Sequence, residues 1–221
     1  MTFFDILRNY RQGFASGLLV TTKLALLVWS IGIACGLLIG FLADKYRRLV
    51  GIPMVVFAFL LSGVPIIVLL FWAHFPLQVL LGVVIDPFIT AVWVLALVNA
   101  FSVADAVRGV LRDFPEEYIT AAKVCGLNHR TTLLRIKFPI VLRQLIPPLL
   151  NIQVTMLQAT IFGSLISVEE IFRVAQGVNA SVYQPVKIYS ALALFFLVIC
   201  LPLNGLALFL KSRFTRNLSD R

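Results

Sequence analysis

The chain has 221 residues, of which 60% are hydrophobic and only 13% are charged. Soluble domains contain about 45–50% apolar and about 25% charged residues, so this composition excludes an ordinary soluble fold and indicates a polytopic membrane protein. The formal net charge is +9, which is typical of a membrane protein with Lys and Arg in its cytoplasmic loops and does not require a nucleic-acid partner.

The N-terminal stretch "MTFFDILRNYRQGFASG" leads into an apolar run too long for the core of a signal peptide, so a retained first span is predicted. A span needs about 20 largely apolar residues, and five candidates follow along the chain. They cover residues 17–43, 53–75, 88–107, 149–168 and 188–210. The predicted fold is therefore an all-α membrane protein with five transmembrane helices.

Individual spans carry further signals. The first has small residues on one helix face, where a neighbouring helix can approach closely: Gly32, Cys35, Gly36 and Gly40. The second contains Gly63 and Pro65, and the fifth is interrupted by Pro202 and Asn204. The fourth is the most polar, since it includes Gln153, Thr155, Gln158, Thr160 and Ser164.

The distribution of basic residues predicts the orientation. With the N-terminus outside, the cytoplasmic segments are 44–52, 108–143 and 211–221, which hold three, seven and four of the 19 Lys and Arg residues. The positive-inside rule therefore favours an N-out, C-in arrangement with an odd number of spans.

The sequence lacks an energy source and a catalytic centre of its own. Ionisable residues are scarce at membrane depth, which argues against proton pumps and voltage sensors. No GxxxxGK[ST] loop occurs, so an ATP-driven protein of this sequence would need ATP bound on another chain. The three cysteines form no CxxC pair, and His74 and His129 have no ligand partners nearby, so no metal site is predicted.

A basic segment at 113–139 interrupts the apolar chain. Asp113 is predicted to cap a helix with Glu116 as the reciprocal acceptor, and Gly126 to end that helix in the left-handed conformation. Asn128 would cap a second short helix, which Pro139 would break or kink. Two interpretations are open: an amphipathic pair resting on anionic lipid headgroups, or a docking element for a cytosolic protein.

The same segment resembles the EAA loop of bacterial ABC-importer permeases, whose pattern is EAA, three residues, Gly, nine residues, Ile, one residue, Leu, Pro. The spacing agrees throughout, with matches at Ala121, Ala122, Gly126, Ile136 and Pro139. Thr120 stands where Glu is usual, and Phe138 where Leu is usual.

Three other stretches resemble the polar amino acid uptake subfamily, of histidine/glutamine/arginine type. "SGVPIIVLLFWAHF" is similar to its "RGTPLLVQL" region, and "NAFSVADAVRGVLRDFPEEY" to "AYxAEIxRGGIxSVPxGQ". "LQATIFGSLISVEEIFRVAQGVNASVYQP" is similar to "LKDTSLxSVIxVxEL", and its "NASVYQP" part leans towards the histidine/lysine branch. Ser62, Gln158 and Ala159 replace charged residues that often accompany amino acid permeases.

The resemblance implies a type I ABC importer fold at residues 16–213, after a periplasmic-side segment 1–15 and before a cytoplasmic tail 214–221. Such permeases pair as homo- or heterodimers and bind two cytosolic ATPase subunits, which carry the ATP and Mg. A periplasmic or lipid-anchored binding protein delivers the amino acid, so this chain is expected to be no enzyme and to hold no cofactor.

Site residues are carried over from the resemblance and from polarity. The EAA loop supplies the coupling helix that sits in a groove of the ATPase, which assigns coupling to Glu117, Thr120, Ala121, Ala122, Gly126, Leu127 and Asn128. A hypothesis is that Glu116 or Glu117 replaces the acid missing at Thr120. Candidates for the substrate pathway are Asn99, Ser102, Gln158, Thr160 and Ser164, and interhelical hydrogen bonding is the alternative role for these side chains. Two other functions stay open, namely an ATP-independent channel or secondary carrier, and a membrane scaffold that recruits a cytosolic partner.

Overall fold

The structure, a computed structural model, describes residues 3–219, without the side chains of residues 3, 4, 7 and 215–219. The first two residues of the predicted N-terminal segment and the last two of the predicted tail lie outside that range. Every regular element within it is helical. The helices are α1 (Phe3–Asn9), α2 (Arg11–Lys45), α3 (Ile52–Gly63), α4 (Ile66–His74), α5 (Pro76–Leu81), α6 (Pro87–Arg112), α7 (Glu116–Val124), α8 (His129–Thr132), α9 (Phe138–Ala159), α10 (Ile171–Val182) and α11 (Pro185–Ser219).

Four stretches of the described chain are long and apolar enough to cross a membrane, and a bent helix pair adds a fifth. The four are Arg11–Lys45, Pro87–Arg112, His129–Ile166 and Pro185–Phe214, and the pair is Arg47–Gly63 with Ile66–Leu81. This arrangement agrees with five predicted spans when the bent pair is counted as one.

The second span, predicted at residues 53–75 with Gly63 and Pro65 inside it, is broken between α3 and α4, since α3 ends at Gly63 and α4 begins at Ile66. Its two halves meet at 96°, and Val64 between them is extended, with φ −106° and ψ 124°. The ring of Pro65 disfavours helical geometry at the preceding residue and removes a backbone donor. The chain therefore turns sharply at this point of the span.

The core forms where α2 and α6 run side by side, and glycines allow their close approach. A Cβ atom built on Gly36 would lie 2.5 Å from Val103 Cβ and 2.6 Å from the Ala100 carbonyl oxygen. Gly32 and Gly40 contact α6 in the same way, through Asn99 and Val107. The predicted small-residue face is thus confirmed for the three glycines, whereas Cys35 is exposed.

The helical stretch that carries the fourth span is longer than the predicted span 149–168 and begins at His129. It passes from α8 through a π-helical turn, Leu133–Lys137, into α9 and ends in a 3₁₀ helix, Thr160–Ile166. Pro139 was predicted to break or kink the helix, and the break is wrong, because the helical stretch continues and Pro139 lies in the first turn of α9, directly after the π turn. A proline is tolerated where the regular hydrogen-bond ladder is already interrupted.

The two ends of the bundle differ in structure. At one end, α1, α10 and the start of α11 pack together through Ile6, Ala175, Val178 and Ile188. Helix α7 lies at the other end, where α2 and α6 finish, since these two helices run parallel. The basic segments that follow α2 and α6 therefore share one end of the molecule with α7.

Candidate functional site

The predicted turn at 126–128 is confirmed in detail. Gly126 has a left-handed backbone, with φ +72°, a conformation that glycine adopts at little cost. The amides of Gly126 and Leu127 donate to the carbonyls of Lys123 and Ala122, each at 3.0 Å, and so close the end of α7. The Asn128 side chain accepts a bond of 2.8 Å from the Thr131 amide and caps α8.

The start of α7 differs from the prediction. Helix α6 continues to Arg112. The Asp113 amide donates to the Gly109 carbonyl, so Asp113 ends α6 and does not cap the next helix. Pro115 precedes α7, and no side chain caps it, so the predicted capping box with Glu116 is wrong. Phe114 anchors the helix instead. Its side chain is buried, and the Lys137 ammonium lies 5.8 Å from the centroid of its ring.

Most predicted coupling residues lie on the exposed side of this element. Glu117, Thr120, Ala121, Gly126, Leu127 and Asn128 are exposed, whereas Ala122 packs inside the chain. The Thr120 hydroxyl donates to the carbonyl of Glu116, one turn earlier, at 3.2 Å. Two large apolar side chains are also exposed here, Val124 at 83% and Leu127 at 40%. A polar loop that exposes apolar side chains on a fixed turn is suited to docking against another protein.

Asn99, a predicted pathway residue, belongs to a closed hydrogen-bond network between three spans. Its Nδ2 atom donates to the Val28 carbonyl and to Gln153 Oε1, both at 3.0 Å. Gln153 Nε2 donates back to Asn99 Oδ1 at 3.1 Å, and the Trp29 indole donates to the Gln153 carbonyl at 3.0 Å. Both Nδ2 hydrogens of Asn99 are thus bonded inside the bundle. The network joins α2, α6 and α9, so Asn99 has the alternative role given above, hydrogen bonding between helices.

The other pathway candidates are spread over different surroundings. The hydroxyls of Ser102, Thr160 and Ser164 donate to carbonyls of their own helices, at 2.7–2.8 Å. Thr160 is fully buried, while Gln158 is exposed and lies beside Cys200 of α11. Thr160 and Gln158 therefore lie on different sides of the span, as the helical angle between them requires.

Glu170 was not among the predicted site residues. Its side chain is fully buried in the loop between the fourth and fifth spans, and its two carboxylate oxygens accept bonds of 2.8 Å from the amides of Phe172 and Arg173. Burial raises the pKa of Glu170 to about 7, although the two amide bonds act in the opposite direction. The stretch "SVEEIF" shows two acids before an apolar run, but only packing distinguishes the buried acid from Glu169.

Glu170 caps α10, and the residue that follows it packs the start of this helix against α2. The Ile171 amide donates to the Thr21 hydroxyl at 3.0 Å, and a Cβ atom on Gly17 would lie 3.0 Å from the Ile171 Cα atom. Helix α10 thus begins in direct backbone contact with the first span, at the end of the bundle remote from α7.

Comparisons with known proteins agree with this geometry. A family model described as "Binding-protein-dependent transport system inner membrane component" matches residues 32–216. The histidine/lysine/arginine/ornithine transport system permease protein HisQ of Salmonella typhimurium is 28% identical over 90% of this chain and 92% of its own. The glutamine transport system permease protein GlnP of Escherichia coli K12 is 30% identical over 82% of this chain and 85% of its own. A crystal structure of an amino acid ABC transporter with histidines has a TM-score of 0.84 and 23% identity, over 96% of this chain and 99% of that chain.

Proposed function

Because this chain belongs to the family of binding-protein-dependent transport system inner membrane components, we propose that it is the permease subunit of an ABC importer for polar amino acids. The similar permeases serve histidine, lysine, arginine and ornithine in one case and glutamine in another, which favours a polar and in particular a basic amino acid. The chain is a multi-pass membrane subunit and not an enzyme.

The exposed element formed by α7, Gly126 and α8 carries this proposal. It projects Val124 and Leu127 from a polar, basic end of the bundle, and its turn is closed by the two bonds onto Ala122 and Lys123. A short, closed helix attached to the long fourth span can pass a rigid-body displacement between a bound partner and the membrane helices. We therefore assign ATPase docking to its exposed residues.

The proposal includes partners and an orientation. Two cytosolic ATPase subunits, which bind ATP and Mg, would dock on α7, and a second permease subunit would complete the transmembrane unit. A substrate-binding protein would dock at the opposite end, where α1 and α10 lie. The basic residues near α7 support placing that end in the cytoplasm by the positive-inside rule, which makes the N-terminus periplasmic.

Gly126 offers a direct test in the assembled transporter. With the cognate ATPase and binding protein in liposomes, Gly126→Val should lower coupled uptake at least about tenfold, because a β-branched residue resists the left-handed turn. No atom of the described chain lies within 4 Å of a Cβ at this position, so insertion and helix content should be unchanged. Gly126→Asn is the matched control, since Asn adopts this conformation more readily, and uptake should be largely kept.

The outcomes separate the candidate functions. Uptake without ATP or without the ATPase would favour a channel or secondary carrier. Copurification with an ATPase but no uptake of any of the 20 common amino acids would favour a scaffold. Normal uptake by Gly126→Val would contradict the coupling role of the turn.

A further inference from the structure

A polar cavity of about 550 Å³ opens at the α7 end of the bundle and touches α7 only at its first residue, Glu116. Its walls come from the ends of α2 and α6, the π turn Arg47–Gly51 and the first turns of α3. Three arginines line it, Arg47, Arg108 and Arg112, together with the two acids Asp44 and Glu116. Basic groups therefore outnumber acidic ones on its walls.

These arginines have hydrogen-bonding capacity that the described chain does not use. Arg108 Nη2 lies 3.3 Å from Asp105 Oδ1, but its Nε atom is buried and meets no acceptor among the described residues. Within the same part of the chain, Arg47 and Arg112 form no ion pair. The exposed guanidinium groups of Arg47 and Arg112 are therefore open to an oxyanion in the cavity, with which they can form charge-assisted hydrogen bonds.

An apolar groove of about 590 Å³ lies near this cavity on α2, α3 and α6, and α4 and α5 line it as well. On α2, Ile39 lies one turn before Ala43 of the cavity wall, and on α3, Phe57 directly follows Val56. The groove then follows α2, α3 and α6 towards the middle of the spans, along Ile31, Cys35, Leu61, Leu97 and Phe101. The lining residues of the polar cavity and of the apolar groove are therefore neighbours along α2 and α3.

We propose that this combined surface binds one anionic phospholipid, with its phosphodiester among Arg47, Arg108 and Arg112 and an acyl chain in the groove. Basic pockets between spans on the cytoplasmic side are suited to anionic headgroups. The two carboxylates nearby disfavour a dianion and so favour a phosphodiester with a single charge. Exposed Ile52 and Val56 at the cavity rim, at 58% and 52%, suit acyl chains better than the polar surface of a cytosolic protein.

Binding can be measured without ATPase, binding protein or amino acid, so failure here and failure of the transport proposal are distinguishable. The full chain in phosphatidylcholine nanodiscs is titrated with phosphatidylglycerol, and retained lipid is counted by native mass spectrometry. Wild-type protein should prefer phosphatidylglycerol about tenfold, and R108Q/R112Q should lose that preference, since charged hydrogen bonds carry it. R130Q/R135Q is the matched control at the same end, since neither residue lines the cavity, and should retain it.

A second variant keeps the proposal testable if R108Q/R112Q fails to fold. Cys35→Trp fills the apolar groove from an exposed position and leaves the arginines in place, so it should weaken phosphatidylglycerol binding about tenfold. Equal binding of both lipids, or undiminished preference in both variants, would overturn the proposal. Competition by millimolar inorganic phosphate would instead show a site for free phosphate. Loss of bound lipid as the chain concentration rises would show that a second copy covers this surface.

Discussion

Replacing Gly36 with alanine tests the contact that holds the first and third spans together. The new Cβ atom would lie 2.5 Å from Val103 Cβ and 2.6 Å from the Ala100 carbonyl oxygen, whereas carbon atoms pack at about 3.5–4.0 Å. Val103 is fully buried and β-branched, and the second obstacle is backbone, so neither can turn aside. Helices α2 and α6 would therefore have to separate by about 1 Å.

The expected cost follows from two opposing terms. Overpacking a closely packed interface costs about 1–3 kcal/mol, and the better helix propensity of alanine returns about 0.5–1 kcal/mol. The net loss in the free energy of unfolding should therefore lie between about 0 and 2.5 kcal/mol. Gly32 and Gly40 would also lose contact with α6 when the helices move apart. The loss in the free energy of unfolding should therefore lie towards the upper end of this range.

The measurement is unfolding of the purified chain in mixed micelles by titration with dodecyl sulfate, followed by circular dichroism. Gly205→Ala is the matched control, since Gly205 lies inside α11 and, apart from the adjoining backbone of that helix, no described atom lies within 4 Å of a Cβ there. That control should be neutral or slightly stabilising. Stability of Gly36→Ala equal to or above that of the wild type would refute the account of the interface.

Three further perturbations are predicted. Because burial raises the pKa of Glu170 to about 7, above its ordinary value of 4.5, its contribution to stability is fully present below pH 4.5 and is lost as the pH rises through 7. E170Q should flatten this dependence in thermal unfolding from pH 4.5 to 8, and an unchanged slope would contradict it. Asn99→Leu should cost about 1–3 kcal/mol, because the Gln153 amide loses its partner, and a second change, Gln153→Leu, should cost less in that background than in the wild type. Asn128→Ala should remove the cap of α8, cost about 1 kcal/mol and lower ATPase stimulation; full stimulation would count against a docking role for that turn.

The segment 113–139 shows how far local sequence signals reach. Gly126 and Asn128 were assigned correctly from the sequence, since a left-handed glycine and an asparagine cap depend on the few residues around them. Asp113 and Pro139 were assigned wrongly, because both depend on whether a neighbouring helix continues. Helix α6 extends to Arg112 and the π turn precedes α9, and such continuations are decided by packing over many residues.

The sequence by itself determined the number of spans, the small-residue face of α2 and the family resemblance, because apolar length, helical periodicity and motif spacing are local properties. Only the tertiary structure decided that Asn99 and Gln153 satisfy each other, that Glu170 is the buried acid and that three arginines meet in one cavity. Residues distant in the chain come together in each of these sites. Their burial and partners depend on how helices pack, which no single segment of sequence encodes.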